Sequence, residues 1–418
     1  MIARGVGVVK RTVGETILAA LPGARVGDGV RLRCASERIL LGEVAAVETG
    51  RVAIAPFGSL CGVAVGNRVE ISEEALFCPA GFAALGRALD PAGMALDGRG
   101  APAGARALVG RGDAPPPVAR EAIATPLWTG VRALDGLLTI GRGARVGIFG
   151  APAAGKTTLL EMVTAGARAD AVVLALVGER GREAKAWFER IDRRTTIVCA
   201  TSDRSAPERV RAAEVAMTQA LRLRQAGCHV VLVVDSLARY AAALREQRVA
   251  LGEPVGRGGY PPSVWAALAR YLERAGNARR GSISLFATVL SDGADDREPL
   301  SDAARSLLDG HIVLSSALAR GGHFPAIDVL ESSSRTMDAV VSAAHARDAR
   351  SVRSALALLA ETKDARALGL ASDSDARLVA ATSMEAAAVA FLRQQEPSAA
   401  EETLRSLGSL AAILEPRR

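Results

Sequence analysis

Apolar residues alternate along the first part of the chain: Val30, Leu32 and Cys34, then Val52 and Ile54, Val63 and Val65, and Val69 and Ile71. Turn-forming stretches such as LPGARVGDG and VAVGN separate them. A period of two with regular turns predicts a small all-β barrel over residues 1–72. From Glu73 to Thr125 the chain is rich in Gly, Ala and Pro and ends near GDAPPPVAR, which reads as a connection laid over the surface. The pattern then changes. RVGIFG, AVVLALV, HVVLVV and ISLFATVL are continuous apolar runs, as expected of parallel strands covered on both faces. Helical segments lie between them, so residues 73–341 read as an α/β domain, with 73–125 as its connecting segment. From Ser342 the chain is rich in Ala and Leu. Ser398 and Glu401 match a capping box after Pro397, and Leu404, Leu407, Ala411 and Leu414 follow at helical spacing. Residues 342–418 therefore read as a C-terminal helical domain.

The run Gly150, Ala151, Pro152, Ala153, Ala154, Gly155, Lys156, Thr157, Thr158 sits between the apolar run RVGIFG and the helical stripe Leu159, Leu160, Met162, Val163. It fits G-x-x-x-x-G-K-[ST] in the strand–loop–helix context that this phosphate-binding motif needs. Backbone N–H groups of the loop and of the helix start point at phosphate oxygens. Lys156 adds a cation near the β/γ-phosphates, and the Thr157 hydroxyl is a ligand for Mg²⁺. Pro152 removes one N–H from the loop and fixes one φ.

Two later strands end in carboxylates. AVVLALVGERGREAK places Glu179 at a strand's carboxyl end and Glu183 about a turn later. A carboxylate there can orient and polarise an attacking water; in isolation the two glutamates read as ion-pair partners of Arg180 and Arg182. VVLVVDSLARYA is an apolar run followed by Asp235, the pattern of a Walker B aspartate that holds Mg²⁺.

The ordered series GRGARVGIFGAPAAGKTTLLEMV, LVGERGREAK, ATSDRSAPERVRAAEVA, VVLVVDSLARYA, GGYPPSVW and LLDGHIVLSSALARGGHFPAIDVLESSSRTM resembles the ATPases of type III protein secretion. These comprise injectisome ATPases and their flagellar export relatives, and both are similar to the catalytic subunits of rotary ATP synthases. The resemblance spans residues 6–337. It implies a RecA-like P-loop NTPase core with a mainly parallel sheet, preceded by an N-terminal β-barrel and followed by a C-terminal helical domain. It also implies ATP and Mg²⁺ as cofactors, a homo-hexameric ring, and partners comprising a stator protein, a central stalk protein, chaperone–effector complexes and the export gate, on the cytoplasmic face of the bacterial inner membrane. By position, Glu179 falls on the water-activating glutamate, followed by Arg180, and Asp235 on the Walker B residue. Arg239 falls on an arginine facing the phosphates, Phe324 on an aromatic against adenine, and Arg335 on an arginine finger inserted into the neighbouring subunit's site. A finger supplied in trans is worth about 10³–10⁵ in rate.

Some stretches depart from the family pattern. RGGYPPS replaces the usual RGYPPS, moving Arg257 one residue early. The acidic GADDREP, with Asp295 and Asp296, corresponds to a loop that touches the stalk in relatives. LGLASDSDARL lacks the Gly-Ala-Tyr stretch of relatives, and little precedes the barrel where relatives often carry a stator-binding segment. LPGARVGD and that short beginning favour an injectisome over a flagellar ATPase.

Composition narrows the classes further. At 418 residues and 49% hydrophobic residues the chain can bury large cores in two or three domains. Five scattered cysteines without C-x-x-C argue for a reducing compartment, and MIARGVGVVKRTVGE has no secretory apolar stretch. No apolar run reaches membrane-spanning length. The net charge of +7 raises the alternative of a nucleic-acid translocase ring, but the arginines are dispersed and aromatic residues are only 3%, so stacking platforms for single strands are sparse. A non-catalytic ring subunit is the other alternative; such subunits typically lack the glutamate that Glu179 matches.

Overall fold

The computed structural model describes residues 5–34, 37–110, 112, 114–290, 299–370 and 375–415. In chain order the strands are β1 (Val6–Val13), β2 (Thr16–Ala20), β3 (Gly29–Arg33), β4 (Ile39–Glu48), β5 (Arg51–Pro56), β6 (Arg68–Ile71), β7 (Phe77–Pro79), β8 (Arg87–Leu89), β9 (Arg106–Leu108), β10 (Pro126–Leu127), β11 (Ile140–Gly141), β12 (Arg145–Gly150), β13 (Ala171–Glu179), β14 (Thr195–Thr201), β15 (His229–Asp235), β16 (Gly276–Asn277), β17 (Ser282–Leu290), β18 (Gly310–Leu314) and β19 (Ile327–Ser334). The helices are α1 (Lys156–Gly166), α2 (Gly181–Phe188), α3 (Ala206–Gln225), α4 (Leu237–Ala250), α5 (Pro262–Glu273), α6 (Pro299–Leu307), α7 (Ser316–Arg320), α8 (Met337–Val340), α9 (Ala343–Glu361), α10 (Lys363–Ala367), α11 (Ala376–Leu392) and α12 (Ala400–Ile413). The chain divides into two compact units, residues 1–119 with 170–281, and residues 120–169 with 282–418.

The first unit opens with the expected barrel, closed in the order β1-β2-β5-β4-β3-β6. Val9, Ile17, Val30, Leu32, Val44, Val52, Ile54 and Val69 point inward and form its core, which is what the alternation encodes. Val63 and Val65 do not form a strand. Asn67 accepts a hydrogen bond from the Ala64 amide at 2.7 Å, Gly66 sits at φ 89°, and Val65 is 73% exposed. The turn chemistry of Asn and Gly wins over the alternation there.

The stretch read as a surface connection is partly structural core. Its β8 pairs in parallel with β14, and Ala84, Ala88 and Leu89 are buried. β13 pairs in parallel with β14 on one side and β15 on the other. All nine residues of β13 and all seven of β15 are buried, as the unbroken apolar runs predict. Helix α3 packs on these strands and starts with a capping box: the Ser205 hydroxyl accepts from the Glu208 amide, and the Glu208 carboxylate accepts from the Ser205 amide. Burial pushes the thiol of Cys78 up to about 11 and that of Cys199 up to about 12, so both behave as inert core residues at neutral pH.

In the second unit β12 pairs in parallel with β17 and β18, and β19 runs antiparallel to β18. Its C-terminal helices α9, α11 and α12 pack on a helical turn at Ala133–Leu137. Gly136 lets Phe391 pack close there: a Cβ would fall 2.9 Å from Phe391 Cζ, and the ring would have to shift. The buried Asp135 carboxylate accepts from the Thr129 and Gly130 amides at 2.8 and 2.9 Å, and burial pushes it up to about 6. Ser398 and Glu401 do not form the expected box. The Ser398 amide donates to the Gly130 carbonyl at 2.9 Å, Glu401 pairs with Arg168 at 3.0 Å, and α12 begins past Ala399 without a side-chain cap. Residues 291–298, including Asp295 and Asp296, and residues 371–374 lie outside the described residues. Among the described residues no helix is long and apolar enough to cross a membrane.

Candidate nucleotide site

In the second unit, β12 delivers the chain into the loop at Gly150 and α1 leaves it at Lys156. Both fixed glycines have a steric reason. A Cβ on Gly150 would lie 2.9 Å from the Leu314 Cβ. Gly155 sits at φ 87°, and a Cβ there would lie 3.0 Å from Phe324 Cε1. Ala153, at φ 66°, gives the loop a further left-handed residue. Gly155 caps α1 without a side chain, so the N-cap itself supplies no acceptor to the amides of the first turn. That is the arrangement an anion fills at a helix N-terminus. Lys156 and Thr157 are its first two residues, with Thr157, Pro152 and Ala153 exposed, Ala154 buried, and Ala151 and Thr158 half-buried.

Phe324 is half-buried with its ring edge on Gly155, and its carbonyl accepts from the Gln394 amide at 2.8 Å. The aromatic and the phosphate loop are therefore one packed piece, which the sequence, with the two 169 positions apart, does not display.

Arg335 follows β19 and is exposed. Its amide donates to the Asp309 carbonyl at 3.0 Å. Among the described residues no hydrogen bond or ion pair engages its guanidinium, which together with Arg305 and burial lowers the His311 imidazole from its ordinary range, burial contributing most.

In the first unit, β13 ends at Glu179 and β15 at Asp235, and the two strands are neighbours with Leu176 opposite Asp235. Glu179 is 2% exposed and Asp235 3%. Arg239, in the first turn of α4, reaches back to this edge. Its Nη1 donates to the Gly178 carbonyl at 2.6 Å and lies 2.7 Å from Glu179 Oε1. Gly178 sits at φ 71° where a Cβ would approach Arg239 Cδ to 3.1 Å. Ser236 caps α4 by accepting from the Arg239 amide at 3.2 Å. Among the described residues Glu179 forms an ion pair with Arg239 and with neither Arg180 nor Arg182, which are exposed at the start of α2, as is Glu183. Arg257 lies in an exposed helical turn whose Gly258 and Gly259 take φ of 64° and 75°, so the inserted glycine is accommodated by left-handed backbone.

Thr157 in the second unit and Asp235 in the first are each hard oxygen donors of the kind that Mg²⁺ takes from a protein beside phosphate.

Residues 130–334 match the nucleotide-binding domain of the ATP synthase alpha/beta family. The chain is 44% identical over 361 residues to the type 3 secretion system ATPase of Sinorhizobium fredii, covering 85% of this chain and 80% of that protein. It is 46% identical to the SPI-2 type 3 secretion system ATPase of Salmonella typhimurium, covering 84% and 82%. The chain belongs to the family of type III secretion system ATPases. The family extends to flagellar relatives: the flagellum-specific ATP synthase of Pseudomonas aeruginosa is 41% identical, over 78% of this chain and 74% of that protein. The assembled ATPase EscN from the enteropathogenic E. coli type III secretion system superposes with a TM-score of 0.90 at 37% identity, covering 97% of this chain and all of that one. EscN in complex with its central stalk EscO superposes with 0.89, at the same identity and coverage. This secretion-family ATPase therefore has the barrel, the mixed sheet with helices and the C-terminal helical region that its sequence predicts.

Proposed function

We propose that this ATPase hydrolyses Mg-ATP in a homo-hexameric ring and that hydrolysis drives type III protein export by an injectisome, stripping chaperones from secreted substrates and unfolding them. The ring works at the cytoplasmic face of the inner membrane with a stator, a central stalk and the export gate. The 44% and 46% identities to the Sinorhizobium fredii and Salmonella typhimurium secretion-system ATPases support the injectisome, while other secretion-system ATPases, at 40% and 39%, fall below the flagellar relative at 41%. A ring with a stalk is supported by the likeness to assembled EscN and to EscN with EscO.

The chemistry assigned to each residue follows from charge and reach. First-turn amides of α1 and the Lys156 ammonium take the β/γ-phosphates. By the family resemblance, Thr157 and Asp235 would hold Mg²⁺, which would supply charge neutralisation on the phosphate oxygens. Glu179 accepts the proton of the attacking water, and Arg239 fixes the direction in which that carboxylate points. Arg180 adds positive charge beside it. Phe324 offers a ring face to adenine. Arg335 is given to the neighbouring chain's phosphates, where it neutralises charge developing in the transition state.

The observation that carries catalysis, against a ring subunit that only binds nucleotide, is the buried Glu179 held by Arg239 at the end of β13. Glu179→Gln keeps the shape and removes the proton acceptor. ATP should bind with unchanged affinity while turnover falls by about 10²–10⁴, the usual worth of general-base catalysis. Turnover within a fewfold of the parent protein would remove Glu179 from this role and direct attention to Glu183.

A further inference from the structure

Arg335 has a side chain that projects and a backbone that is held on every side. The residue before it, Ser334, donates its hydroxyl to the Thr139 carbonyl at 2.7 Å. Its own amide donates to the Asp309 carbonyl at 3.0 Å. The residue after it, Thr336, accepts from the Gly141 amide at 2.9 Å. Thr139 and Gly141 lie just before and at the end of β11, one short turn ahead of β12, the strand that ends in the phosphate loop.

Asp309 is the hub of this arrangement. It stands just before β18, where Val146 pairs with Gly310 on one side and Gly310 with Ser334 on the other. Arg145, Asp309 and Arg335 thus come abreast at one end of β12, β18 and β19. The Asp309 carboxylate accepts from the Arg145 amide at 2.9 Å, from Nε at 3.1 Å and from Nη2 at 3.2 Å, while its amide donates to the Arg145 carbonyl at 2.7 Å. The ion pair is mostly shielded, with side-chain exposures of 16% and 25%. The strands leave no slack, because a Cβ on Gly310 would fall 2.8 Å from the Ser333 carbonyl oxygen. With its carboxylate committed to Arg145, Asp309 meets Arg335 through the backbone alone and leaves the guanidinium directed outward.

We infer that Asp309, locked by Arg145, is a positioning residue for the finger: it fixes the backbone from which Arg335 reaches a neighbouring chain, and it mounts that backbone on the strand leading to the chain's own phosphate loop. The inference rests on the trans-acting role proposed for Arg335. A bidentate charge-assisted pair suits this task, since it restrains direction as well as distance.

Mixed chains test it. Arg335→Ala chains keep the cradle and lack the finger; Lys156→Ala chains keep the finger and lack the cradle's cation. Each is inactive alone, and the ATPase activity recovered on mixing is the reference. Asp309→Asn placed in the Lys156→Ala chain, the finger donor, should cut the recovered activity by about tenfold or more, since a misplacement on the order of 1 Å can cost ~10² in rate. The same substitution in the Arg335→Ala chain, which has no finger to position, should cost at least about fivefold less than it does in the donor, on that same scale. Equal losses in the two arms, or none in either, would overturn the positioning role while leaving the finger in place. A reference mixture as inactive as its parts would overturn the trans-acting finger, and the mount with it. Thr336→Val, which removes the acceptor for the Gly141 amide, is read in the same two arms with the same outcomes and decides the matter if the Asp309→Asn chains do not fold.

Discussion

The two compact units present their candidate site residues in opposite ways. In the first, Glu179 and Asp235 end fully buried strands and are nearly inaccessible, and Glu179 is tied to Arg239. In the second, Thr157 and Arg335 stand exposed at the start of a helix and the end of a strand, and rigidity resides in the backbone beneath them. A carboxylate that takes a proton from water gains from one orientation and a desolvated setting. A cation given to another chain must extend from its own, so only its foundation can be fixed. The same secondary-structure device, the end of a strand, serves in both units: the last residue of the strand is buried in one, and the residue just past the strand is exposed in the other.

The sharpest way to break this comparison after Glu179→Gln is to release the clamp on Glu179. Arg239→Ala should lower kcat by about 10²-fold, the scale of a misoriented group, with a smaller change in KM. A loss confined to ATP affinity would mean that Arg239 serves the phosphates and that its pairing with Glu179 is incidental. A smaller effect is expected at the aromatic seated on Gly155. Phe324→Ala should weaken both ATP and ADP binding by about 1–3 kcal/mol, the scale of base–aromatic stacking. Unchanged affinities by titration calorimetry would reduce Phe324 to packing against the loop.

The smallest effect separates two matching sequence patterns. Ser205 and Ser398 each precede a glutamate by three residues, yet only Ser205 forms a capping box. Ser205→Ala should cost about 1 kcal/mol of stability in denaturant unfolding. Ser398→Ala removes only the long hydrogen bond that its hydroxyl accepts from Gln394 Nε2 at 3.3 Å, and should cost about 0.5 kcal/mol or less. Equal costs would mean that this hydroxyl contributes as much as a helix cap.

That pair shows where the sequence was legible and where it was not. Features carried by contiguous residues were readable: the loop from Gly150 to Thr158, the buried runs ending in Glu179 and Asp235, and the alternation of the barrel. Features decided by a distant partner were not. The Gly130 carbonyl draws in the Ser398 amide. Arg239 meets Glu179 across 60 positions, and Asp309 meets Arg145 across 164. The one legible trace of these contacts is glycine. Gly178, at φ 71° within β13 with Arg239 Cδ 3.1 Å from where a Cβ would lie, and Gly310, which opens β18 with the Ser333 carbonyl oxygen 2.8 Å from that point, mark these places in the sequence. The family resemblance supplied the position of Arg335 but could not display the backbone that holds it.

The central claim is that hydrolysis is completed by a charge from a second chain, and a concentration series tests it most directly. ATPase activity per chain should be low in dilute protein and rise steeply as chains associate, in step with assembly followed by light scattering. Arg335→Ala should assemble over the same range and bind ATP equally well, while showing about 10³-fold or lower activity at saturation. Activity per chain that is independent of concentration, or an Arg335→Ala protein as active in the assembled state as the parent, would contradict the trans-acting finger and the ring motor built on it.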